Sequence, residues 1–339
     1  MSAHELNLAV AAVLWAAVVI YAVFAGADFG GGVWDLAAGG QRASAQRRAV
    51  SRAMGPVWEA SHVWLIFLLT GLFTAFPAAF ARLALGLYLP FSLVLLGVVL
   101  RGAAFAFRAH GAPEGGRVSP WGIAFGIASV ITPFLLGTCA GAVAAGEVPV
   151  SSGPGLDRLV APWTSPFALV CGGLALAICA GLAAAYLAVE ESSLGEPELA
   201  GDFRLRALGA GAAALALAVA ALPLLRESAP QLWNGLSGRA LPLAGVAFAC
   251  AAIAALAMAV RRYRLARNAA AAQVAAILLA WAVAQSPLLV PPRLSIDASA
   301  SPPEVMLLLL VTFAVGGALL LPSLLLLFIV FKGRNPAVI

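Results

Sequence analysis

Charged residues are scarce in this chain. Asp, Glu, Lys and Arg together make up 10% of its 339 residues, whereas a soluble globular domain contains about 25%. This shortage excludes an ordinary soluble domain, and the net charge of +5 is not a nucleic-acid signal. Apolar residues take up 63% of the sequence, and the mean hydropathy is +0.99. The composition therefore predicts a membrane protein with no nucleic-acid partner.

Cysteine and histidine are also few. The cysteines lie inside apolar runs without metal-type spacing, which favours buried small side chains over a disulfide or a metal site. They are Cys139, Cys171, Cys179 and Cys250. Of the three histidines, His4 and His110 fall in segments predicted to be exposed, which leaves His62. A haem held by two histidines of this chain is therefore not expected, and no Walker pattern or serine-triad context occurs either.

What the sequence does contain is long apolar runs. A helix needs about 20 apolar residues to cross a bilayer. The first run lacks a basic n-region and a clean cleavage site, which predicts a retained helix. We predict an all-α polytopic membrane protein with about nine spans. They cover residues 7–27, 56–80, 83–106, 120–145, 163–188, 206–225, 240–260, 268–289 and 304–331.

Basic residues predict the orientation. With the N-terminus outside, 15 of the 20 Lys and Arg residues fall on the inner side and the others on the outer side. Those outer residues are Arg82, Arg158, Arg226, Arg239 and Arg293. Because inner loops carry the excess of Lys and Arg in membrane proteins, we predict an external N-terminus and a cytoplasmic C-terminus.

Short loops favour antiparallel neighbouring helices. We predict a first four-helix bundle with the polar motifs in residues 1–150, a second in 160–290, and an additional transmembrane helix in 300–335. Gly26 and Gly30 form a GxxxG pair of the kind that permits close helix contact.

An acidic segment joins the fifth and sixth spans. It is predicted to be a solvated turn, with docking of a partner's basic loop as the alternative. Its acids are Glu190, Glu191, Glu196, Glu198 and Asp202.

Ionisable residues at the edges of two spans are the candidate site. Such groups cost about 2.5–3.5 kcal/mol each on insertion scales, so they are usually functional or paired. Glu59 lies roughly 6 Å and His62 roughly 10 Å into the second span, on one helical face. Asp28 is predicted near the inner end of the first helix. Two interpretations of these three residues are open. They form a proton path from the cytoplasm, or they form a structural ion pair or capping cluster.

Two further residues accompany the candidate site. Trp58 lies one turn from His62. Arg101 ends the third span, where snorkelling of its side chain to the interface explains it, although it could instead neutralise Asp28 or Glu59.

The motifs around these residues resemble subunit II of the cytochrome bd quinol oxidases. They read Phe24-Ala-Gly-Ala-Asp-Phe-Gly-Gly-Gly32, then Gly55-Pro-Val-Trp-Glu-Ala-Ser-His-Val-Trp-Leu65, and then a third-span end from Leu100 to Arg108. The resemblance is concentrated in residues 24–108, and the rest matches in span number and hydropathy. The sequence departs from the family pattern at two positions. Ala27 stands where many relatives have a glycine–aromatic pair before the aspartate, and Ala106 stands where some relatives have an acid.

The resemblance implies a heterodimeric terminal oxidase in a bacterial cell membrane, which oxidises quinol and reduces oxygen to water. Haem b and haem d would belong to the partner, subunit I, and none to this chain. Asp28 and Glu59 would line a proton route, with His62, Trp58 and Arg101 as neighbours. A bound quinone, a small accessory subunit and the choice of quinone stay open. The alternatives are an independent proton-coupled transporter and a purely structural assembly subunit.

Overall fold

The computed structural model describes residues 2–110, 120–149 and 156–332, without the side chains of 54–60, 108–110, 156–158, 321, 324–325 and 327–332. Within these ranges the chain consists of helices and the turns that connect them, together with one short hairpin. The helices are α1 (Ala3–Leu36), α2 (Ala43–Ala75), α3 (Pro77–Gly86), α4 (Tyr88–His110), α5 (Pro120–Ala145), α6 (Leu156–Thr164), α7 (Pro166–Ser193), α8 (Pro197–Ser228), α9 (Pro230–Ser237), α10 (Leu241–Ala259), α11 (Tyr263–Gln285), α12 (Ile296–Ser299) and α13 (Pro303–Lys332). Strands β1 (Leu288–Val290) and β2 (Leu294–Ser295) pair antiparallel between α11 and α12.

The prediction of an all-α polytopic membrane protein is confirmed. Among the described residues, eight helices are long and apolar enough to cross a membrane: α1, α4, α5, α7, α8, α10, α11 and α13. A ninth span is present if the bent pair of α2 and α3 counts as one. Each of these nine overlaps one of the apolar runs predicted from hydropathy.

The second predicted span, 56–80, is broken. At Phe76 the backbone leaves the helical region (φ −132°, ψ 64°), and α3 continues at 117° to α2. Pro77 opens α3. Proline has no N–H to continue the preceding helix and disfavours a helical conformation at the residue before it. The amide of Ser301 donates to the Ala75 carbonyl (2.9 Å), and Phe76 is fully buried, so packing fixes the bend.

Helix α1 is longer than predicted, and this changes the position of Asp28. The predicted span ended at residue 27, but the helix continues to Leu36. Asp28 therefore lies about 12 Å before the end of the helix, so the interpretation of Asp28 as a helix-end or capping residue is wrong. Hydropathy could not show this, because the three glycines that follow Asp28 usually weaken a helix.

Helix α1 lies at the centre of the packing, in contact with α2, α5, α7, α11 and α13. The two glycines of the predicted GxxxG pair differ in how closely α7 approaches them. A Cβ on Gly30 would lie 2.0 Å from the Cys179 carbonyl oxygen on α7, whereas a Cβ on Gly26 would have ordinary contacts at 3.5 Å. Gly30 thus sets the distance between α1 and α7. The grouping of the helices into units 1–150, 160–290 and 300–335 stays a prediction.

One end of the bundle, where α1 ends and α2, α8 and α11 begin, is here called the basic end. There the acidic segment binds the chain's own basic segment. Arg42 donates to Asp202 (2.6 and 2.9 Å) and to Glu198 (3.1 Å), and Arg52 donates to Glu191 (2.5 Å). Glu191 has no exposed surface. The prediction of a solvated turn is therefore wrong for Glu191, whereas Glu198, whose side chain is 76% exposed, is solvated as predicted. The ion pairs hold α7 and α8 to the start of α2.

The opposite end, where α1 begins, is here called the N-terminal end. Asp297, between the hairpin and α13, accepts from Asn7 (2.9 Å) and lies 2.8 Å from His4 Nδ1. The hydrogen bond from Asn7, followed by that of His4, lowers the pKa of the Asp297 carboxyl below its usual value. These contacts hold the start of α1 against the segment that precedes α13.

Candidate functional site

A buried ion pair joins α1 to α4. The Asp28 carboxylate accepts from both terminal nitrogens of Arg101, with Nη2 to Oδ1 at 2.5 Å and a short contact between Nη1 and Oδ2. Nη2 also donates to the main-chain carbonyl of Asp28 (2.8 Å). This two-point arrangement matches the planar guanidinium to the planar carboxylate, which is the strongest geometry available to such a pair.

The pair is shielded from bulk solvent. The side chains of Asp28 and Arg101 are 2% and 3% exposed. The Arg101 guanidinium carbon lies 4.8 Å from the ring centres of Phe29 and Phe125, which is within cation–π distance. Snorkelling of Arg101 is therefore the wrong explanation. The alternative, neutralisation of Asp28, describes the observed contacts.

Helix α5 holds the other side of the guanidinium. Arg101 Nε donates to Ser129 Oγ (2.9 Å), and Ser129 donates in turn to the Phe125 carbonyl (2.7 Å). A Cβ on Gly32 would lie 2.0 Å from Ser129 Oγ. The glycine therefore lets the serine reach between α1 and α4, and the pair is fixed from three helices.

A small cavity of about 10 Å³ borders the pair, which is room for about one water molecule. Besides Asp28 and Arg101, its lining includes Tyr21, Ser61 and His62. Ser61 is buried, and its Oγ lies 3.5 Å from His62 Nδ1, at the outer limit of a hydrogen bond. The structure thus brings together three of the predicted site residues, Asp28, His62 and Arg101.

The other two predicted residues, Glu59 and Trp58, have side chains outside the described part of the structure. Their backbone is helical and belongs to α2, about one turn before His62. The proximity of Glu59 to the ion pair therefore stays a prediction from helical spacing.

Sequence reasoning missed Tyr21 and Ser129. Tyr21 is the one hydroxyl of the apolar helix α1, and Ser129 is one of three in α5, beside Thr132 and Thr138. Nothing in the local spacing distinguishes either residue from a structural one. Ser129 is found only once the register between α4 and α5 is known.

The described part of the chain contains no candidate metal centre. No group of three or more of its His, Cys, Asp or Glu side chains could hold a metal ion.

The chain matches the model of one protein family over residues 6–331, and that family is described as cytochrome bd terminal oxidase subunit II. The match covers nearly the whole chain, including all the residues of the ion pair and its cavity.

Individual relatives agree with the family match. The chain is 31% identical over 179 residues to cytochrome bd ubiquinol oxidase subunit 2 of Bacillus subtilis, covering 52% of this chain and 51% of the relative. It is 26% identical over 224 residues to a putative cytochrome bd menaquinol oxidase subunit II of the same organism, covering 66% and 64%. The matches thus span about half to two thirds of these relatives.

A solved structure is also similar. The bd oxidase from Geobacillus thermodenitrificans contains a chain that superposes with a TM-score of 0.77 at 23% identity, covering 98% of this chain and 100% of that one. At this identity the likeness establishes a shared fold.

Proposed function

This chain belongs to the family of cytochrome bd terminal oxidase subunit II, and from that premise we propose that it is the non-haem subunit of a quinol:oxygen oxidoreductase. It is a multi-pass protein of the bacterial cell membrane. In the proposal it pairs with a haem-bearing subunit I, supports the assembly of that subunit, and supplies protons from the cytoplasm for the reduction of oxygen to water.

The donor set of the chain supports placing the haems in the partner. The sequence contains three histidines. His4 lies beside Asp297 at the N-terminal end, and His62 borders a cavity of about 10 Å³, which is far too small for a haem. The side chain of the third, His110, lies outside the described part of the structure. In the proposal the haem b and haem d groups are held by subunit I, where they would supply the oxygen chemistry.

The buried ion pair is the main observation behind the proposed proton route. It assigns different roles to the polar residues around it. The Asp28 carboxylate and the main-chain carbonyl of Asp28 both accept from the Arg101 guanidinium. Removing one partner of a buried pair costs about 3–5 kcal/mol. In the proposal Asp28 holds Arg101 in place, so it acts as a positioning residue beside the route.

His62 and Glu59 are the proposed proton carriers. An imidazole can accept a proton at one nitrogen and release one from the other, and the cavity beside His62 has room for about one water molecule. Glu59, about one turn closer to the basic end on α2, would receive the proton from the cytoplasm. In the proposal Trp58, next to Glu59 in the sequence, has a supporting role. Reduction of one oxygen molecule to two waters consumes four protons and four electrons, and the electrons come from quinol.

Glu59→Gln tests the route. The variant is purified with its associated subunits, and its haem content is read from the reduced-minus-oxidised spectrum before oxygen uptake with quinol is measured. We expect full haem content with oxygen uptake at least about tenfold lower, since a positioned proton carrier contributes about 10²–10⁴-fold. Glu304→Gln, at an exposed site at the start of α13, is the matched control and should retain normal uptake.

Two other results would each contradict a part of the proposal. Normal oxygen uptake and normal proton translocation in a haem-replete Glu59→Gln complex would mean that the subunit has a purely structural role. Purification of the chain alone, without a haem-bearing subunit, would contradict the oxidase assignment and favour an independent transporter.

A further inference from the structure

A second cavity lies at the N-terminal end, away from the ion pair. It has a volume of about 480 Å³ and is lined by the end of α11, by α9 and by the start of the hairpin. This size is within the range of small-molecule sites, about 300–1,000 Å³. Apolar residues such as Leu232 and Leu288 share its lining with Gln231, Asn234 and Arg239, and none of the lining residues is acidic.

Arg239 supplies the positive charge of this cavity. Its Nη2 donates to the carbonyls of Ala284 (3.0 Å) and Ser286, at the end of α11. Carbonyls in the last turn of a helix have no partner within the helix, so this contact fixes the guanidinium in place. Nε and Nη1 have no hydrogen-bond partner among the described residues, and a guanidinium has five N–H donors in all. The side of Arg239 away from α11 can therefore donate to an anion.

The walls of the cavity are preformed. A Cβ on Gly235 would lie 2.1 Å from the Ala284 carbonyl oxygen, so α9 rests directly on the end of α11. Gln285 is held from two sides: it accepts from Trp281 Nε1 (2.8 Å), and its Nε2 donates to the Leu289 carbonyl (3.0 Å). A ligand would need little reordering of these residues on binding, which favours affinity.

The position of the cavity indicates the kind of ligand. Arg239 precedes by two residues the start of α10 at Leu241, which is 58% exposed. Leu222, in the last two turns of α8, is 49% exposed, and α8 contacts both α9 and α10. In a membrane-spanning chain these leucines face lipid. The guanidinium is thus placed where an apolar helix surface meets the aqueous phase, at the level of phosphate headgroups.

We propose that this cavity binds the headgroup of an anionic phospholipid. The phosphate oxygens accept from Nε and Nη1 of Arg239, and the amides of Gln231 and Asn234 bind headgroup hydroxyls. The acyl chains extend from the cavity along the exposed leucines. The proposal is independent of the proton route, because it uses none of the residues around Asp28.

The test measures phosphatidylglycerol binding to the full chain, purified with its associated subunits and stripped of lipid by detergent exchange. Lipid retained per protein is counted by native mass spectrometry during titration. We expect Arg239→Gln to weaken binding by about tenfold or more, because hydrogen bonds to a charged group are lost. Arg293→Gln is the matched control, since Arg293 is exposed and does not line the cavity.

Asn234→Phe separates binding from folding. It fills the cavity and leaves Arg239 and its contacts with α11 unchanged, so this variant should lose the lipid while its unfolding temperature without lipid stays at the wild-type value. Equal lipid binding by wild type, Arg239→Gln and Asn234→Phe would overturn the proposal. So would full competition by glycerol phosphate at the same concentration as the lipid, which would indicate a soluble anion, or absence of lipid from the assembled complex, which would indicate a covering subunit.

Discussion

Replacement of Asp28 by asparagine removes the negative charge from the buried pair and keeps the shape of the side chain. The Arg101 guanidinium, whose side chain is 3% exposed, then remains buried without a counter-charge. We expect a cost of about 3–5 kcal/mol in the free energy of unfolding. Arg101→Met should cost a similar amount, because it leaves the Asp28 carboxylate unpaired instead.

The double variant distinguishes a true pair from two independent contacts. With both charges removed, no buried charge lacks a partner, so the combined cost should not exceed that of either single variant. The coupling energy is then about 3 kcal/mol or more. Unfolding in mixed micelles can be followed by the fluorescence of the eight tryptophans.

Asp297→Asn is the control for this cycle. It makes the same chemical change in a pair whose side chains are 59% and 50% exposed, so it should cost about 1 kcal/mol or less. Single costs at Asp28 and Arg101 that add to within about 0.5 kcal/mol in the double variant would refute the reasoning, because independent sites are additive.

Three other predictions follow from the packing and the charges. Gly30→Ala should destabilise the chain by at least about 1–3 kcal/mol through overpacking, while Gly26→Ala, with its 3.5 Å contacts, should stay within about 0.5 kcal/mol. Arg52→Ala should cost more than Glu191→Gln, because the first leaves a fully buried carboxylate unpaired and the second leaves a half-exposed guanidinium that can reach water. The lowered pKa of Asp297 stabilises the fold above its usual value of about 3.9. That contribution should be lost as pH falls through the lowered value, and unfolding measured against pH should lack this loss in Asp297→Asn.

Each of these predictions has an outcome that would contradict it. Equal costs for the two glycine variants would mean that the α1–α7 distance is not set at Gly30. Equal losses of unfolding free energy in Arg52→Ala and Glu191→Gln would mean that the difference in burial between the two side chains has no energetic effect. An unchanged acid dependence in Asp297→Asn would assign the loss to other carboxylates.

Hydropathy was sufficient to predict the spans, because about 20 apolar residues in a row have few other uses. The break at Phe76 also had a local signal in Pro77, although the 117° bend depends on packing. The site was only partly predictable. Asp28 and Arg101 were each singled out from motif and charge, but their pairing depends on the contact between α1 and α4 across 73 residues of sequence. Ser129 reaches α1 and α4 from α5, and the cavity is formed by α1, α2 and α4, so no local pattern contains either of them.

The Asp28–Arg101 pair has a consequence for the order of synthesis. At about 5–20 residues per second, the ribosome makes Arg101 roughly 4–15 s after Asp28, which stands 73 positions earlier. During that interval α1 enters the membrane with an acid that has no counter-ion. Helix α4 then enters with a cation, Arg101, whose counter-charge is Asp28 inside the bundle. Contact between the two side chains then neutralises both charges, so each helix stabilises the other in the membrane.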